Sequence, residues 1–342
     1  MAGFTVQPLW WHYKYQPSRR LLEDAVYPAV RDVAVFQAEF IDQCPGGQQV
    51  TLVPSISPEH WGWTKDFQRN RNCAFDIAMF RYIFEAAIEG ATVLGRDAAL
   101  VKRWQAALRR LPPYPTTTTD PPIVVDVQDA PPITYNFAVP AAPVFPCDVV
   151  TWWSPAAEKD LFRRTIEQIR DVGVDGPLML AIGRARLSMP GATDWLRNQI
   201  AIRQRRNGTL TTAPMSRRGP SGVDRYGHYT QQFGFSMAVG ELLLQSVSDV
   251  IRVFPAWPPD RAAEFRDLRA QGGFLVSARQ HNGKTLRVDV TSTAGGPLRL
   301  LSPWPAVELR RDNGAPTPVK PDERGIVRCE TQPGQRLSFG PS

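Results

Sequence analysis

The residue best placed for acid–base chemistry in this sequence is Glu59, which directly precedes His60. A short apolar run comes before it and stops at Pro54, and two tryptophans, Trp61 and Trp63, follow it. A loop on a rigid support can hold one acid where its pKa is tuned, and indole faces supply apolar walls beside it. Glu59 is therefore a candidate proton donor, with an ordinary surface carboxylate as the alternative.

Metal chemistry is not expected from this sequence. It has no Cys-x-x-Cys pair and no pair of histidines at helical spacing, which are the patterns that hold zinc. Its four cysteines and four histidines are scattered, at Cys44, Cys73, Cys147, Cys329, His12, His60, His228 and His281. We predict neither a metal site nor a cofactor.

Composition is typical of a soluble globular protein. The 342 residues are 43% hydrophobic and 21% charged, which excludes wholesale disorder, and the length favours two domains. The net charge of +7 is spread along the chain, and its densest basic cluster, at 203–206, lacks a nucleic-acid motif. No apolar run is long enough to span a membrane, and the first residues do not form a signal peptide. We predict neither a nucleic-acid nor a membrane partner, and we leave the compartment open because an export signal would precede a start upstream of Met1.

Helical patterns occupy the first two thirds of the chain. A run of large apolar residues recurs at three- and four-residue spacing, which is one face of a helix: Val26, Val30, Val33, Phe36 and Phe40. Further helices are predicted at 75–94, 97–111, 156–172, 178–189, 193–206 and 233–246. With the aromatic segment before Tyr15, the pattern predicts about eight or nine helices.

A stretch rich in proline and threonine, residues 111–145, interrupts the helices. Tracts such as PPYPTTTTDPP cannot continue a helix or a central strand. We predict a long irregular excursion that carries loops. A linker between domains is the alternative, because long structureless loops are uncommon within a compact domain.

Short alternating runs replace the helices after residue 249. They are separated by turn signals such as Asn282-Gly283 and Asn313-Gly314. Strands are predicted at 250–254, 274–279, 286–291, 298–301, 306–310, 325–329 and 336–339. The prediction is a helical domain over 1–247 and a small antiparallel β-sandwich domain over 248–342.

Several longer segments match a known family in order. They include the Ser-Pro-Glu element within VPSISPEHWG, the helix AFDIAMFRYIFEAA, and the block GELLLQSVSDVIRVFPAWP with FRDLRAQGGFLVSARQ. Their order resembles glycoside hydrolase family 95, the α-L-fucosidase family. The resemblance implies an (α/α)6 barrel followed by a β-sandwich. Here the barrel would be incomplete, since the family's N-terminal sandwich and first barrel helices are absent.

The resemblance implies that Glu59 is the general acid of an inverting hydrolase that cleaves terminal α-linked L-fucose or a related sugar. Such cleavage passes through an oxocarbenium-like transition state and needs a proton delivered to the leaving oxygen. Apolar neighbours such as Trp61 and Trp63 favour the protonated form of that acid. Together with His60, the tryptophans are expected to bind substrate, and the expected partner is a carbohydrate such as a fucosylated glycan.

The sequence also departs from the family pattern. The family activates its water with an Asn-x-Asn element, which is absent upstream of Trp10, and orients it with an Asp whose place is taken by Thr230. A basic, histidine-containing sugar-binding stretch of the family aligns with 135–137, where Asn136 is expected to contact substrate without supplying charge. The candidate substitutes for the missing base lie around the Thr230 position: Asp224, His228, Thr230 and Gln232.

Two readings of these departures stay open. Either Met1 is an internal start of a longer enzyme, or the chain is a truncated relative whose exposed helix faces are covered by a partner. In the second case the alternative function is a non-catalytic module that binds glycans or packs against another subunit.

Other reactive residue types are assigned to structure. The sequence around Ser236 nearly matches a nucleophile elbow but lies inside a helix, where the strained turn cannot form. Asp76 is assigned to the dipole of its helix, although it could approach the Glu59 loop. Glu241 is assigned to a paired buried role. Core packing, with sugar stacking as the alternative, is assigned to Trp10, Trp11 and His12.

Overall fold

The computed structural model describes residues 2–134, 136–170, 173, 175–214 and 227–342. Its helices are α1 (Ala2–Tyr15), α2 (Arg19–Leu21), α3 (Tyr27–Gln43), α4 (Ala74–Leu94), α5 (Ala98–Arg110), α6 (Ala156–Gln168), α7 (Gly176–Arg186), α8 (Ala192–Arg203) and α9 (Tyr229–Leu243). A π-helical turn, Leu22–Val26, joins the single turn of α2 to α3. Within the described residues, all helices except α2 have eleven or more residues, which agrees with the predicted count of eight or nine.

The longest helix, α4, forms the centre of the helical core. Its apolar residues lie on nearly every face, with Phe75 and Phe84 almost fully buried, and burying such a side chain contributes about 1.5–3 kcal/mol. It ends at Gly95, whose left-handed backbone (φ 70°) lets its N–H cap the last carbonyls. The neighbouring α5 buries only Trp104 and Ala107, so it packs on the outside of α4.

Four helices run parallel, and their shared direction defines two ends of the helical region. Gly3 of α1 lies against Met79 of α4, and further along both helices Trp10 of α1 lies near Gly90 of α4. The two helices therefore run in the same direction. In the same way, Gly234 of α9 lies against Leu178 of α7, and the end of α9 meets the end of α7 through Glu241 and Arg186.

The two parallel pairs point the same way. Phe137 packs against Phe75 at the start of α4, with 5.7 Å between ring centroids, and the neighbouring Asn136 binds the backbone at the start of α7. At the other end, Trp11 of α1 and Arg186 of α7 both bind Asp148. The N-terminal ends of α1, α4, α7 and α9 therefore share one end of the helical region, and their C-terminal ends share the other.

The β region follows α9 at once. Its strands are β1 (Leu244–Gln245), β2 (Arg252–Val253), β3 (Ala263–Ala270), β4 (Phe274–His281), β5 (Lys284–Ser292), β6 (Gly296–Leu301), β7 (Val307–Arg311), β8 (Thr317–Val319), β9 (Ile326–Thr331) and β10 (Arg336–Pro341). A six-stranded sheet has the order β3-β4-β5-β10-β7-β8, and β6 and β9 form a second layer. Every pairing between these strands is antiparallel.

Both layers contribute to one apolar core. Val276, Val288 and Phe339 of the large sheet are buried in the same cluster as Leu298 and Val327 of the small one. The predicted class, an incomplete helical barrel followed by an antiparallel β-sandwich, is thus confirmed. The division into domains near residue 247 stays a prediction.

Two local predictions were wrong. Phe36 is 57% exposed, because α3 buries the neighbouring stripe through Ala34, Ala38 and Ile41 instead. Strand β3 was missed because a bulge at 265–268 breaks its alternation. The described part of the 111–145 excursion is largely irregular, as predicted, and it is not a linker, because its apolar run at 123–127 is buried in the helical core.

None of the helices in the described residues is both long and apolar enough to cross a membrane.

Candidate active site

The Glu59 loop is held at its base by serine hydroxyls that donate to two aspartates, the partly buried Asp76 and the buried Asp126. Ser55 Oγ donates to Asp76 Oδ2 at 2.8 Å, and Ser57 Oγ donates to Asp126 Oδ2 at 2.8 Å. Ser55 Oγ also accepts the backbone N–H of Cys73, which begins α4. The loop is therefore fixed to the N-terminal end of α4 on one side and to the 111–145 excursion on the other.

Asp76 does more than complement the helix dipole. Burial raises the pKa of its carboxyl group, while the hydrogen bond from Ser55 opposes that shift. Asp76 is partly buried and anchors the loop that carries Glu59 through its hydrogen bond with Ser55.

His60 is fixed by the same aspartate that holds Ser57. Its Nδ1 lies 2.7 Å from Asp126 Oδ2, and its ring stacks on Trp61 with 4.5 Å between centroids. Asp126 is 1% exposed. Since Asp126 holds Nδ1, the imidazole keeps one orientation, with Nε2 as its remaining nitrogen.

Glu59 lies at the tip of this anchored loop. Its backbone has φ 58°, a left-handed conformation that is unusual for a residue with a side chain. The side chain is exposed and makes no hydrogen bond or ion pair with a described residue. The loop therefore presents Glu59 to solvent from a fixed backbone.

Asp175, at the start of α7, is an acid whose pKa is affected by the charge of Glu59. It is partly buried, and burial raises the pKa of its carboxyl group. The negative charge of Glu59 raises that pKa further, whereas the imidazole of His228 lowers it. Glu59 and His228, from two separate segments, thus both act on Asp175 at the N-terminal end of the parallel helices.

Asn136 fixes the backbone beside these groups. Its carbonyl oxygen accepts the N–H groups of Asp175 at 3.1 Å and of Gly176 at 3.0 Å. This contact satisfies two of the three free N–H donors at the start of α7, because Pro177 has no N–H. The structure therefore brings Asn136 to the same place as Glu59 and His228, through Asp175.

The first turn of α9 supplies the next predicted residues. His228 precedes the helix; its ring stacks on Tyr229 with 5.3 Å between centroids, and its Nδ1 has no hydrogen-bond partner among the described residues. Thr230 and Gln232 lie inside the first turn, because α9 begins four residues before the predicted start at 233. Asp224 lies outside the described residues.

The two tryptophans differ in their surroundings. Trp61 is partly buried against the helical core, with Arg69 5.8 Å above its ring. Trp63 is 66% exposed and meets the edge of Phe67. Trp61 thus helps to position the loop, whereas Trp63 presents an open indole face.

Sequence reasoning missed two acids of this site, Asp126 and Asp175. Asp126 interrupts the apolar run IVVDV, and a single acid in such a run is typical of a buried carboxylate with a specific partner. Asp175 precedes Gly176-Pro177, a helix start with proline in the first turn. The predicted start of α7 at 178 left Asp175 unrecognised as its N-cap.

The remaining assignments to structure hold except that of His12, which was assigned to the core but is exposed. Ser236 Oγ donates to the Gln232 carbonyl one turn earlier in α9, so no nucleophile elbow forms. Glu241 pairs with Arg186 at 3.0 Å. Trp10 is 4% exposed and belongs to the core. Trp11 is half-buried and His12 is exposed. No group of three metal-ligating side chains occurs in the described part of the chain.

Residues 1–120, which include α1 to α5 and the whole Glu59 loop, match the model of the glycosyl hydrolase family 95 catalytic domain. The predicted resemblance to family 95 is confirmed. The matched segment contains the Ser-Pro-Glu element and both serines that anchor it, but not Asp175 or α9.

A curated relative extends the similarity beyond that segment. Alpha-L-fucosidase 2 of Arabidopsis thaliana is 25% identical over 305 residues, which cover 83% of this chain and 34% of the relative. The chain thus spans about a third of the length of the curated relative it matches.

Two solved structures cover nearly all of the chain. An alpha-L-rhamnosidase of Streptomyces avermitilis complexed with L-rhamnose has a TM-score of 0.44 at 15% identity, covering 96% of this chain and 31% of that chain. An alpha-L-rhamnosidase of Dictyoglumus thermophilum has a TM-score of 0.49 at 10% identity, covering 98% and 39%. Both TM-scores are below 0.5, so neither supports an argument about the site.

Proposed function

We propose that this chain carries the acid-bearing part of an inverting glycoside hydrolase, with Glu59 as general acid. The substrate is a terminal α-linked L-fucose or a related sugar. The family 95 match over 1–120 and the fucosidase relative support this class. The observation that carries the proposal is the anchored loop. Its Ser55, Ser57 and His60 bind Asp76 and Asp126, while Glu59 at its tip is exposed.

The chemistry follows from that arrangement. Cleavage of a glycosidic bond needs a carboxylic acid within hydrogen-bond reach of the leaving oxygen. A loop with a fixed backbone holds the acid in place without a rearrangement, which reduces the entropy lost on reaching the transition state. Trp63 offers an exposed indole on which an apolar sugar face can stack.

Replacing Glu59 by Gln tests the proposal. On an aryl α-L-fucoside, Glu59→Gln should lower kcat at least ~100-fold, the usual contribution of a positioned general acid. Glu39→Gln is the matched control, since Glu39 is an exposed acid on α3 and should leave kcat unchanged. Equal kcat in Glu59→Gln and wild type would refute the assignment, provided that the thermal melting of both proteins agrees.

A non-catalytic glycan-binding module is the second candidate. It is favoured by Thr230, which supplies no carboxylate where the resemblance implies an aspartate. It predicts binding of a fucosylated oligosaccharide without turnover, with an affinity that Glu59→Gln leaves unaltered. Isothermal titration calorimetry combined with product analysis separates the two candidates.

The proposal also includes a partner for one helix face. Tyr229, Phe233 and Met237 recur every four residues on α9 and are 73%, 73% and 37% exposed. A continuous apolar stripe of this kind is usually covered. We propose that a further helical segment packs against it.

A further inference from the structure

The carboxylate of Asp175 lies at a fixed place in the fold but does not cap its helix. It occupies the N-cap of α7, where an aspartate normally accepts a backbone N–H of the first turn. Here the side chain makes no such bond, and its Oδ1 has no hydrogen-bond partner among the described residues. The Asn136 carbonyl satisfies the backbone donors of Asp175 and Gly176 instead.

This arrangement leaves the carboxylate available while its backbone stays fixed. A half-buried acid with a free oxygen costs stability unless it serves another purpose. An ion pair with His228 would be the simplest structural purpose, but no ion pair of Asp175 occurs among the described residues. A structural role therefore leaves the orientation of the carboxylate unexplained.

The position of Asp175 suggests its purpose. Because α7 and α9 run parallel with Gly234 against Leu178, the residues that precede the two helices, Asp175 and His228, lie at the same end. The Glu59 loop lies at that end too. Ser55 ties the loop to the first turn of α4 through Asp76. Phe137 packs on Phe75 of the same turn, and the neighbouring Asn136 binds the backbone of Asp175. Two carboxylates from separate segments thus lie at the same end of the helical region, and hydrolysis of a glycosidic bond uses a pair of carboxyl groups.

We propose that Asp175 is the second carboxylate of this site and accepts a proton from the attacking water. This inference rests on the proposed function. Glu59 in its acid form donates its proton to the glycosidic oxygen as the bond from that oxygen to the anomeric carbon breaks. The water oxygen bonds to the anomeric carbon, and its proton passes to the Asp175 carboxylate. Exchange with solvent then returns Asp175 to its ionised form and Glu59 to its acid form.

The two carboxylates should respond differently to the leaving group. An aryl α-L-fucoside needs acid assistance, whereas α-L-fucosyl fluoride loses fluoride without a proton. Glu59→Gln should therefore lower kcat strongly on the aryl substrate and only slightly on the fluoride. Asp175→Asn should lower kcat at least ~100-fold on both, with KM changed no more than about threefold. Asp160→Asn, which removes an exposed acid of α6, is the control.

A rescue experiment excludes a merely structural effect. Asp175→Ala is assayed on the fluoride with added azide, an anion that attacks without losing a proton. Restored turnover with formation of the glycosyl azide supports the inference, and a folded Asp175→Ala without rescue contradicts it. Asp175→Glu, which keeps a carboxylate, should retain more activity than Asp175→Gln.

The outcomes also separate this inference from the proposal on which it rests. If wild type hydrolyses both substrates and Asp175→Asn remains within threefold of it, Asp175 is not the base and the Glu59 assignment stands. If wild type hydrolyses neither substrate, the proposed function fails and the inference fails with it.

Discussion

The two ends of the parallel helices differ in whether their carboxylates are ion-paired. At the C-terminal end, Arg186 joins Asp148 and Glu241 in a buried cluster whose arginine and aspartate side chains are 5% and 8% exposed. At the N-terminal end, Glu59 and Asp175 form no ion pair with any described residue. Matched buried charges hold helices together, whereas unmatched charges at a loop and a helix start remain available to a ligand.

The C-terminal cluster connects the helices to one another and to the β region. Burial by itself would lower the pKa of Arg186, but the charges of Asp148 and Glu241 outweigh it and raise that pKa. Gln245 of β1 donates to the Ala185 carbonyl at 2.9 Å, and Arg252 of β2 binds Gln245 at 2.9 Å. The cluster therefore serves stability.

The largest expected effect is at this cluster. Arg186→Leu leaves two buried carboxylates without a cation, which should lower the free energy of unfolding by about 3–5 kcal/mol. Adding Asp148→Asn and Glu241→Gln to the same chain should recover most of the loss, because no buried charge then remains. Urea denaturation at neutral pH measures both variants.

An exposed ion pair supplies the control for that prediction. Arg261 and Asp194 pair at 2.8 Å with side chains 37% and 58% exposed, so Arg261→Leu should cost about 0–1 kcal/mol. Equal losses in Arg186→Leu and Arg261→Leu would mean that the buried cluster is not the main ionic support of the helices.

At the N-terminal end, removing a charged side chain can increase the stability of the protein instead of lowering it. Glu59 has φ 58°, so Glu59→Gly should be about 1 kcal/mol more stable than Glu59→Gln, although both lose the acid. Glu39→Gly, inside α3, should instead destabilise by about 1 kcal/mol. Thermal melting of the three variants measures the difference. A Glu59→Gly protein less stable than Glu59→Gln would show that the loop is not strained at its tip.

Much of this molecule could be predicted from local sequence. The helix patterns gave α4, α5 and α9 to within a few residues, and paired turn signals gave the strands around Asn282-Gly283. Glu59 stood out because a motif and two aromatic residues surround it. These features depend on neighbours in the chain, and local physics determines them.

The second half of the site depends on contacts that no local pattern contains. Asp126 lies 66 residues from His60, and Asp175 lies further still from Glu59. Asp175 and His228 lie at the same end because α7 and α9, which are distant in sequence, pack in parallel with Gly234 against Leu178. A search for substitutes near Thr230 therefore found His228 but not the acid beside it.

The smallest effects concern the acid limb of the pH profile, and they have opposite signs. Asp175 acts as a base only when ionised, so activity should fall as the pH drops through its pKa. Burial raises that pKa first, the charge of Glu59 raises it further, and His228 lowers it. Removing Glu59 and removing His228 should therefore shift the acid limb in opposite directions.

α-L-Fucosyl fluoride needs no proton from Glu59, so the enzyme with ionised Glu59 also turns it over. On this substrate, Glu59→Gln should shift the acid limb of kcat/KM to lower pH, because the negative charge that disfavours the Asp175 carboxylate is lost. His228→Asn should shift it to higher pH, because a group that favours the carboxylate is lost. Both variants keep Asp175, and neither removes a hydrogen bond to its side chain. Shifts of the same sign would mean that another group controls the limb. Opposite shifts would tie the pH profile to the single acid on which Glu59 and His228 both act.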